Sequence, residues 1–192
     1  MNIVKVDIVG EAAAAKAAAD MLLRGGVAVF PTDTVYGLAC HPDFPEALAR
    51  VCAIKGRDPS KPIAFLASDA AAPGARGAVL SERATALTSR YWPGALTIVA
   101  DCGGVNEGFR VPDCALARRI IALCGGLLRV TSANPSGMDA ATSADDPSML
   151  AIAGKCDIII DGGPCDGGVA STVVQDEPWR IIREGAIPVA EL

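Results

Sequence analysis

The apolar run Val27-Ala28-Val29-Phe30 is the part of the chain that most restricts its possible folds. Four consecutive apolar residues predict a buried strand. Pro31 follows and ends the strand, because proline has no N–H group for a hydrogen-bond ladder. An alanine-rich segment at 11–24 precedes the strand, and its composition predicts a helix that ends at Gly25-Gly26. A helix followed directly by a buried strand is typical of α/β folds.

The same alternation continues along the rest of the chain. Further helices are predicted at 45–54, 81–91, 113–124 and 147–153. Further strands are predicted at 3–9, 63–67, 95–100, 109–111, 127–131, 158–160, 170–174 and 179–183, with a polar connection at 101–108. The chain has 192 residues, of which 51% are hydrophobic, and no change of composition marks a linker. We therefore predict a single three-layer α/β domain over 1–192.

Composition argues against several classes of function. The net charge of −5 gives no overall attraction for nucleic acid, although a local basic pocket is compatible with it. The seven cysteines are odd in number and form no C-x-x-C motif, which argues against a disulfide framework and a cysteine-rich zinc site. No apolar run approaches the ~18 residues of a membrane span, and the N-terminus does not resemble a signal peptide. We expect a soluble, cytoplasmic protein without membrane contact.

Three short polar side chains, Thr32, Asp33 and Thr34, follow the strand at 27–30. They stand at its carboxyl end, where ligands bind in open α/β sheets. Gly37 allows a turn or a close approach to a ligand. Hydroxyls and carboxylates are also common in turns for purely local reasons, so this segment is either a ligand site or a simple turn. One carboxylate, Asp33, is weak support for a catalytic base.

A second candidate site is the basic turn that contains Lys55, Arg57 and Lys61. Arginine can form bidentate hydrogen bonds with a phosphate or carboxylate, and lysine adds a point charge. A solvated basic turn explains the same pattern. Ser132 and Asn134 form a third candidate after the strand at 127–131, and an extended backbone would place them on one face. A local turn explains them equally well.

Other nucleotide and metal motifs are absent from the sequence. There is no G-x-G-x-x-G, and the segment 163–169 has the glycine spacing of a P-loop but Val169 in place of the required lysine. His41 is the only histidine and forms no clear metal cluster or hydrolase triad with any motif. We expect it to occupy a loop position.

Taken together, the ordered motifs of the chain resemble those of the YrdC-type threonylcarbamoyl-AMP synthases, in their short single-domain form, from about residue 12 to residue 187. The matching pieces are Pro-Thr-Asp-Thr-Val-Tyr-Gly-Leu at 31–38, Lys-Gly-Arg at 55–57 with Lys-Pro at 61–62, Tyr-Trp-Pro-Gly-Ala-Leu-Thr at 91–97, Arg-Val-Pro at 110–112, Thr-Ser-Ala-Asn at 131–134 with Ser-Gly at 136–137, Asp-Gly-Gly at 161–163, Ser-Thr-Val-Val at 171–174, and Arg at 183 with Gly-Ala-Ile at 185–187. Each piece alone is weak, but their common order is specific.

The resemblance implies a twisted, open, mixed β-sheet flanked by helices, with a basic concavity on one side. It implies the synthesis of threonylcarbamoyl-AMP and pyrophosphate from L-threonine, bicarbonate or CO2, and ATP. Magnesium would be bound mainly through the phosphates, without a dedicated protein metal site. The product would serve tRNA threonylcarbamoyladenosine modification at position 37, performed by a separate downstream transferase complex.

The resemblance also carries over particular residues. The catalytic set falls on Lys55, Arg57, Ser132 and Asn134. The expected ATP contacts are Arg57, Lys61, Asn134, Thr142 and Arg183. The expected threonine contacts are Thr32, Arg110, Ser132 and Ser171.

Two positions depart from the family pattern. Residues 138–141 read Met-Asp-Ala-Ala where many members have Pro-Ser-Pro ahead of the threonine that stands here as Thr142. Leu66 occupies a position where many longer members have a histidine, so a threonine contact from that position is missing. We also expect the extra C-terminal domain of those longer members to be missing.

Two other functions compete with the synthase interpretation. One is a non-catalytic module of the same fold that binds double-stranded RNA or tRNA in its basic concavity, which the acidic net charge opposes. The other is a relative that uses a different carbamoyl donor, as in hydrogenase maturation. The single predicted domain argues against the second, because those proteins carry additional acylphosphatase-like and zinc-finger parts.

Overall fold

The computed structural model describes residues 2–192 and contains one open sheet of ten strands. The strands are β1 (Ile3–Lys5), β2 (Val27–Phe30), β3 (Gly37–Cys40), β4 (Phe65–Ala67), β5 (Leu96–Asp101), β6 (Asn106–Arg110), β7 (Leu127–Ser132), β8 (Ile158–Asp161), β9 (Thr172–Gln175) and β10 (Arg180–Arg183). Their order across the sheet is β1-β8-β2-β3-β7-β4-β6-β5-β9-β10. Both parallel and antiparallel pairs occur within this order, so the predicted mixed open sheet is confirmed.

Six α-helices accompany the sheet within the described residues. They are α1 (Val6–Val9), α2 (Glu11–Leu22), α3 (Pro45–Lys55), α4 (Glu82–Tyr91), α5 (Ala115–Leu123) and α6 (Pro147–Ala153). Proline stands in the first turn of both α3 and α6, where its missing N–H group has no partner to lose. Gly56 ends α3 in the left-handed conformation, with φ of 62°, that glycine adopts without steric penalty.

The structure differs from the predicted elements in three places. The strand predicted at 3–9 ends at Lys5, and Val6–Val9 form a one-turn helix closed by the bond from Gly10 N–H to the Val6 carbonyl. The polar connection predicted at 101–108 is shorter, because β6 already begins at Asn106 and pairs with β5. Strand β3 was not predicted, because its four residues become a strand by pairing on both sides with β2 and β7.

Helices cover the two faces of the sheet unevenly. On one face, α2 and α5 pack on the half that runs from β8 to β4, with Phe30, Ile120 and Leu128 fully buried between them. On the other face, α3 and α6 cover β2 and β3, while α4 covers the half around β5 and β6. Beyond α2 and α5 the first face stays open over β6, β5 and β9. This opening forms the site described below.

Phe30 provides a test of the core beneath α2 and α5. Its side chain is fully buried. We expect Phe30→Ala to lower the free energy of unfolding by about 3–5 kcal/mol, because the substitution removes buried apolar surface and leaves a cavity. Ile8→Ala, on a side chain that is 75% exposed, is the control and should change it by less than about 0.5 kcal/mol. Urea unfolding of the three proteins measures both values, and equal effects would contradict this description of the core.

Candidate active site

A cavity of about 430 Å³ lies on the open part of the sheet face. Its floor consists of residues from β3, β7, β4, β6, β5 and β9, and two of them are glycines that add no side chain to it. A Cβ atom at Gly37 would lie 2.7 Å from Val130 Cγ1, and one at Gly108 would lie 3.1 Å from Ala64 Cβ. Gly37 therefore permits close packing of neighbouring strands. The cavity has the size of a small-molecule site.

Four cationic side chains line this cavity and make it the basic concavity that the family resemblance implies. Seven of the predicted site residues share the lining, namely Thr32, Lys55, Arg57, Arg110, Ser132, Ser171 and Arg183. Asn134 lies directly behind the lining, in contact with Lys55. Lys61 and Thr142 are outside the lining. Such a concentration of positive charge in a concave site favours an anionic ligand.

Lys55 joins the end of α3 to the end of β7. Its Nζ atom donates to the Ser132 carbonyl at 2.7 Å and to the Asn134 Oδ1 atom at 2.9 Å. It also lies 3.2 Å from Ser132 Oγ and 3.0 Å from the Asn134 carbonyl. Ser132 and Asn134 therefore meet at one ammonium group. They do so on a turned backbone, with Asn134 N–H bonded to the Ser132 carbonyl, and not on the extended segment that the sequence suggested.

The charge state of Lys55 depends on two opposing effects. Burial, together with the nearby positive charge of Arg57, lowers its pKa from 10.5 to about 8. The four oxygen atoms around Nζ favour the ammonium form, which can donate three hydrogen bonds. At neutral pH the group therefore carries its charge and holds the turn after β7 in place.

The hydroxyl group of Thr32 forms its hydrogen bonds within the turn that follows β2. Its Oγ1 atom donates to the Val35 carbonyl at 2.7 Å and accepts from the N–H groups of Thr34 and Val35. A hydroxyl group has one proton and two lone pairs, so these three bonds use its full capacity. The structure thus places Thr32 at the cavity with its hydroxyl group already engaged, and its predicted contact with threonine stays a prediction.

Arg110 lies at the centre of the floor with only 8% of its side chain exposed. Its guanidinium group donates to Asp33 Oδ1 at 2.6 Å, to Thr34 Oγ1 at 2.9 Å and to the Gly94 carbonyl at 2.9 Å. Burial lowers the pKa of Arg110, and the charge of Asp33 opposes this change. The buried cation is thus compensated by a carboxylate from the turn after β2.

The opposite wall is built around Ser171. Its Oγ atom lies 2.8 Å from Thr97 Oγ1, and its carbonyl accepts a hydrogen bond from Arg183 Nη2 at 2.7 Å. Ser171 and Thr97 are buried, whereas Arg183 lies on the edge strand β10 with its side chain exposed. Ser171 and Thr97 each retain unused hydrogen-bonding capacity, so this wall can receive a polar ligand group.

Arg57 and Lys61 lie on the loop after α3. Arg57 Nη2 donates to the Pro62 carbonyl at 2.9 Å. Its Nε atom is buried and has no hydrogen-bond partner among residues 2–192, so this donor of a cavity-lining residue is unsatisfied. Lys61 is exposed to solvent and outside the cavity lining.

Thr142 and the departing segment 138–141 are fixed by main-chain contacts. The Ala141 carbonyl accepts from Tyr36 N–H at 2.8 Å, and the Thr142 carbonyl accepts from Cys165 N–H at 2.8 Å. Asn134 Nδ2 donates to the Met138 carbonyl at 2.6 Å. The segment thus stays attached to the site despite its unusual sequence.

Two features of the site did not follow from the sequence. Neither Thr97 nor the ion pair of Asp33 with Arg110 was predicted, although Thr97 and Asp33 both belong to the quoted motifs. His41 lies directly after β3 and bonds to the Cys124 carbonyl at 3.1 Å, away from the cavity. Across residues 2–192, no group of three or more His, Cys, Asp and Glu side chains could hold a metal ion.

The chain is similar to proteins of a known family. The model of the Sua5/YciO/YrdC family, described as "Telomere recombination", matches residues 20–185. The chain belongs to this family. The resemblance seen in the motifs is thereby confirmed. The threonylcarbamoyl-AMP synthase of Bacillus subtilis is 32% identical over 183 residues, and that of Chromohalobacter salexigens is 37% identical over 153 residues.

Solved structures of the family share the fold. The Pyrococcus abyssi Sua5 structure complexed with L-threonine aligns over 100% of this chain and 59% of that one, with a TM-score of 0.86 and 29% identity. The Escherichia coli YciO structure, at 23% identity, aligns over 98% of this chain and 96% of that one with a TM-score of 0.82.

The share of each relative's length that this chain matches differs among the relatives. The match spans 88% of this chain and 53% of the Bacillus protein, against 73% and 80% for the Chromohalobacter protein. The chain thus spans about half the length of some of the synthases it matches. The part of the chain that the structure describes contains no helix with the length and hydrophobicity needed to cross a membrane.

Because the ammonium group of Lys55 is buried, we expect it to lose its proton at a lower pH than an ordinary lysine. We expect one lysine ε-carbon signal in a ¹³C NMR titration of the folded protein to have a midpoint near 8, and this signal should be missing in Lys55→Arg. Between about pH 8 and 10.5 the unfolded chain holds this proton and the folded chain has lost it, so the contribution of Lys55 to stability rises with pH across that window, and the slope of stability against pH should be more positive in wild type than in Lys55→Arg. A protein with no lysine midpoint below about 9.5 would contradict the burial argument.

Proposed function

We propose that this chain is an L-threonylcarbamoyladenylate synthase and that residues 1–192 act as one YrdC-like domain. The observation that carries the proposal is the convergence of Lys55, Arg57, Arg110 and Arg183 on one cavity with a hydroxyl-lined floor. The names of the relatives support it, because several are called threonylcarbamoyl-AMP synthase.

The proposed reaction needs several negative charges in one place. Threonine and CO2, or bicarbonate with loss of water, give a carbamate on the threonine nitrogen. A carbamate oxygen then attacks the α-phosphorus of ATP, a new P–O bond forms, and the bond to the β-phosphate oxygen breaks to release pyrophosphate. This is a nucleotidyl transfer. Since nucleophile and electrophile are both anionic, the cations of the cavity act by screening repulsion and holding the two partners in line.

The proposed roles follow the position of each side chain. Arg57, Lys61, Asn134, Thr142 and Arg183 would contact ATP, and Lys55, Arg57, Ser132 and Asn134 would form the catalytic set. For Arg57, the unpaired Nε atom supports an anion contact. Lys61 and Thr142 lie outside the cavity lining, so their contacts with ATP require a ligand that extends beyond it.

Threonine would bind at the Arg110 side of the floor. Its carboxylate would meet Arg110, while Ser132 and Ser171 retain hydrogen-bonding capacity for its hydroxyl group. Thr97 joins them, because its Oγ1 atom contacts Ser171. Thr32 would contribute mainly through the turn that carries Asp33, since its own hydroxyl group is engaged.

Magnesium would be bound mainly through ATP phosphates. Asp33 pairs with Arg110 and is therefore a poor candidate for a metal ligand. The cation would lower the charge of the triphosphate and help pyrophosphate to leave.

The product would be consumed by a transferase complex that modifies tRNA. The product is a mixed carboxylic–phosphoric anhydride, so a nucleophile must accept its threonylcarbamoyl group before water does. The alternative of an RNA-binding module has no feature of its own in its favour beyond the basic cavity, and the net charge of −5 opposes it.

The amino-acid requirement tests the proposal. We expect pyrophosphate release to require threonine and to fall by up to ~10⁴-fold with valine, because a site that bonds a hydroxyl group leaves polar atoms unpaired when a methyl group replaces it. Serine should be intermediate, since one methyl group is worth only about 1–3 kcal/mol. The assay contains ATP, bicarbonate and Mg²⁺, and mass spectrometry identifies the adenylate. Equal rates with threonine, valine and no amino acid would rule out the synthase.

Arg57 tests the location of the chemistry. We expect Arg57→Ala to lower turnover by at least ~100-fold while the protein stays folded, because a charge-assisted contact to the reacting phosphate is lost. Arg119→Ala, on an exposed position of α5, is the matched control and should leave turnover within about twofold. Wild-type activity in a folded Arg57→Ala sample would place the reaction elsewhere.

A further inference from the structure

Arg110 has a fixed number of donors left for a ligand. A guanidinium group has five N–H groups. Three of them are held by Asp33 Oδ1, Thr34 Oγ1 and the Gly94 carbonyl. Two therefore remain, on a side chain that lines the cavity. Two N–H groups in one plane match the two oxygen atoms of a carboxylate.

The position of Asp33 is itself fixed from both sides. On one side, the Thr32 hydroxyl group closes the turn that contains it. On the other side, the loop after β8 packs against its main chain. Gly168 N–H donates to the Thr34 carbonyl at 2.8 Å, and a Cβ atom at Gly167 would lie 2.5 Å from the Asp33 carbonyl oxygen. Only glycine at 167 allows this approach, so the main chain that carries the Asp33 carboxylate is held in place.

Asp33 also makes one cation of the cavity different from the other three. Lys55, Arg57 and Arg183 form no salt bridge within residues 2–192, whereas Arg110 is paired with a carboxylate at 2.6 Å. A polyphosphate near Arg110 would be repelled by Asp33, and a singly charged carboxylate would be repelled less. The paired cation thus suits a monoanion, and the unpaired cations suit the triphosphate.

We propose that Asp33 is a positioning residue that holds Arg110 for an amino-acid carboxylate and keeps phosphate groups away from that end of the cavity. The inference rests on the proposed function, since it assigns the amino acid and ATP to different cations of the same site. Asp33 acts through Arg110 and contacts neither reacting atom. Its effect should therefore be selective for the amino acid.

The test compares threonine and ATP binding by calorimetry in wild type, Asp33→Asn and Asp33→Ala. We expect threonine to bind at least about fivefold more weakly to Asp33→Asn, and more weakly still to Asp33→Ala, because the charge-assisted bond to Nη2 is weakened and then lost. ATP should bind within about twofold of wild type or more tightly. Inorganic pyrophosphate should compete with threonine more strongly in both variants than in wild type.

Glu107→Gln is the matched control. Glu107 and Arg129 form another buried ion pair at 2.6 Å, but Glu107 alternates on β6 with the cavity residues Asn106 and Gly108 and therefore faces the opposite side. This variant should lose stability and keep both affinities. In addition, Asp33→Ala should cause no further loss of threonine affinity when Arg110 is already alanine, since the two residues act as one unit.

The outcomes separate the two proposals. Wild type that forms no adenylate from threonine, bicarbonate and ATP would overturn the proposed function. Wild type that forms it, with an Asp33→Asn variant that binds threonine normally or loses threonine and ATP affinity equally, would overturn the role of Asp33. If Asp33→Ala does not fold, Asp33→Asn decides alone.

Discussion

The register of β3 between β2 and β7 is the constraint on which the site depends. Gly37 stands opposite Phe30 on one side and opposite Ser132 on the other. A shift by one residue would turn every side chain of β3 to the other face, taking Leu38 out of its cluster with α3 and α6 and moving the turn at 32–35 away from the end of β7. The buried side chains of β3 therefore fix the distance between the two polar segments that form the cavity.

The cavity exists because helices cover only part of one sheet face. Buried cations next to this opening are unfavourable for folding unless hydrogen bonds or opposite charges compensate them. The two most buried ones are compensated in different ways: Lys55 is surrounded by uncharged oxygen atoms, and Arg110 is paired with Asp33. Arg57 keeps one unsatisfied donor. A protein tolerates such groups where they serve a ligand.

Close approach of main-chain segments keeps these charges in place. Gly37 and Gly108 let strands pack under the cavity floor, and Gly167 lets a loop press on the turn that carries Asp33. Tyr36 anchors the same loop, since its hydroxyl group donates to the Gly163 carbonyl at 2.7 Å. Neutral groups and small residues thus make a rigid support for a few charged side chains, which is the arrangement that electrostatic preorganisation requires.

Much of the fold could be predicted from local sequence, because the signals lie within a few residues. Proline at the start and apolar periodicity placed α3 and α6 within a residue of their observed bounds, and the run at 27–30 is β2. The ordered motifs identified the family and most of the residues that line the cavity. Strand β3 escaped prediction because Gly37–Cys40 become a strand by pairing with β2 and β7, and β7 lies far along the chain. The bond of Asp33 to Arg110 and the contact of Thr97 with Ser171 likewise join distant segments. The sequence alone therefore determined which charged and polar groups are available, and only tertiary packing decided which of them are already paired and which are left for a ligand.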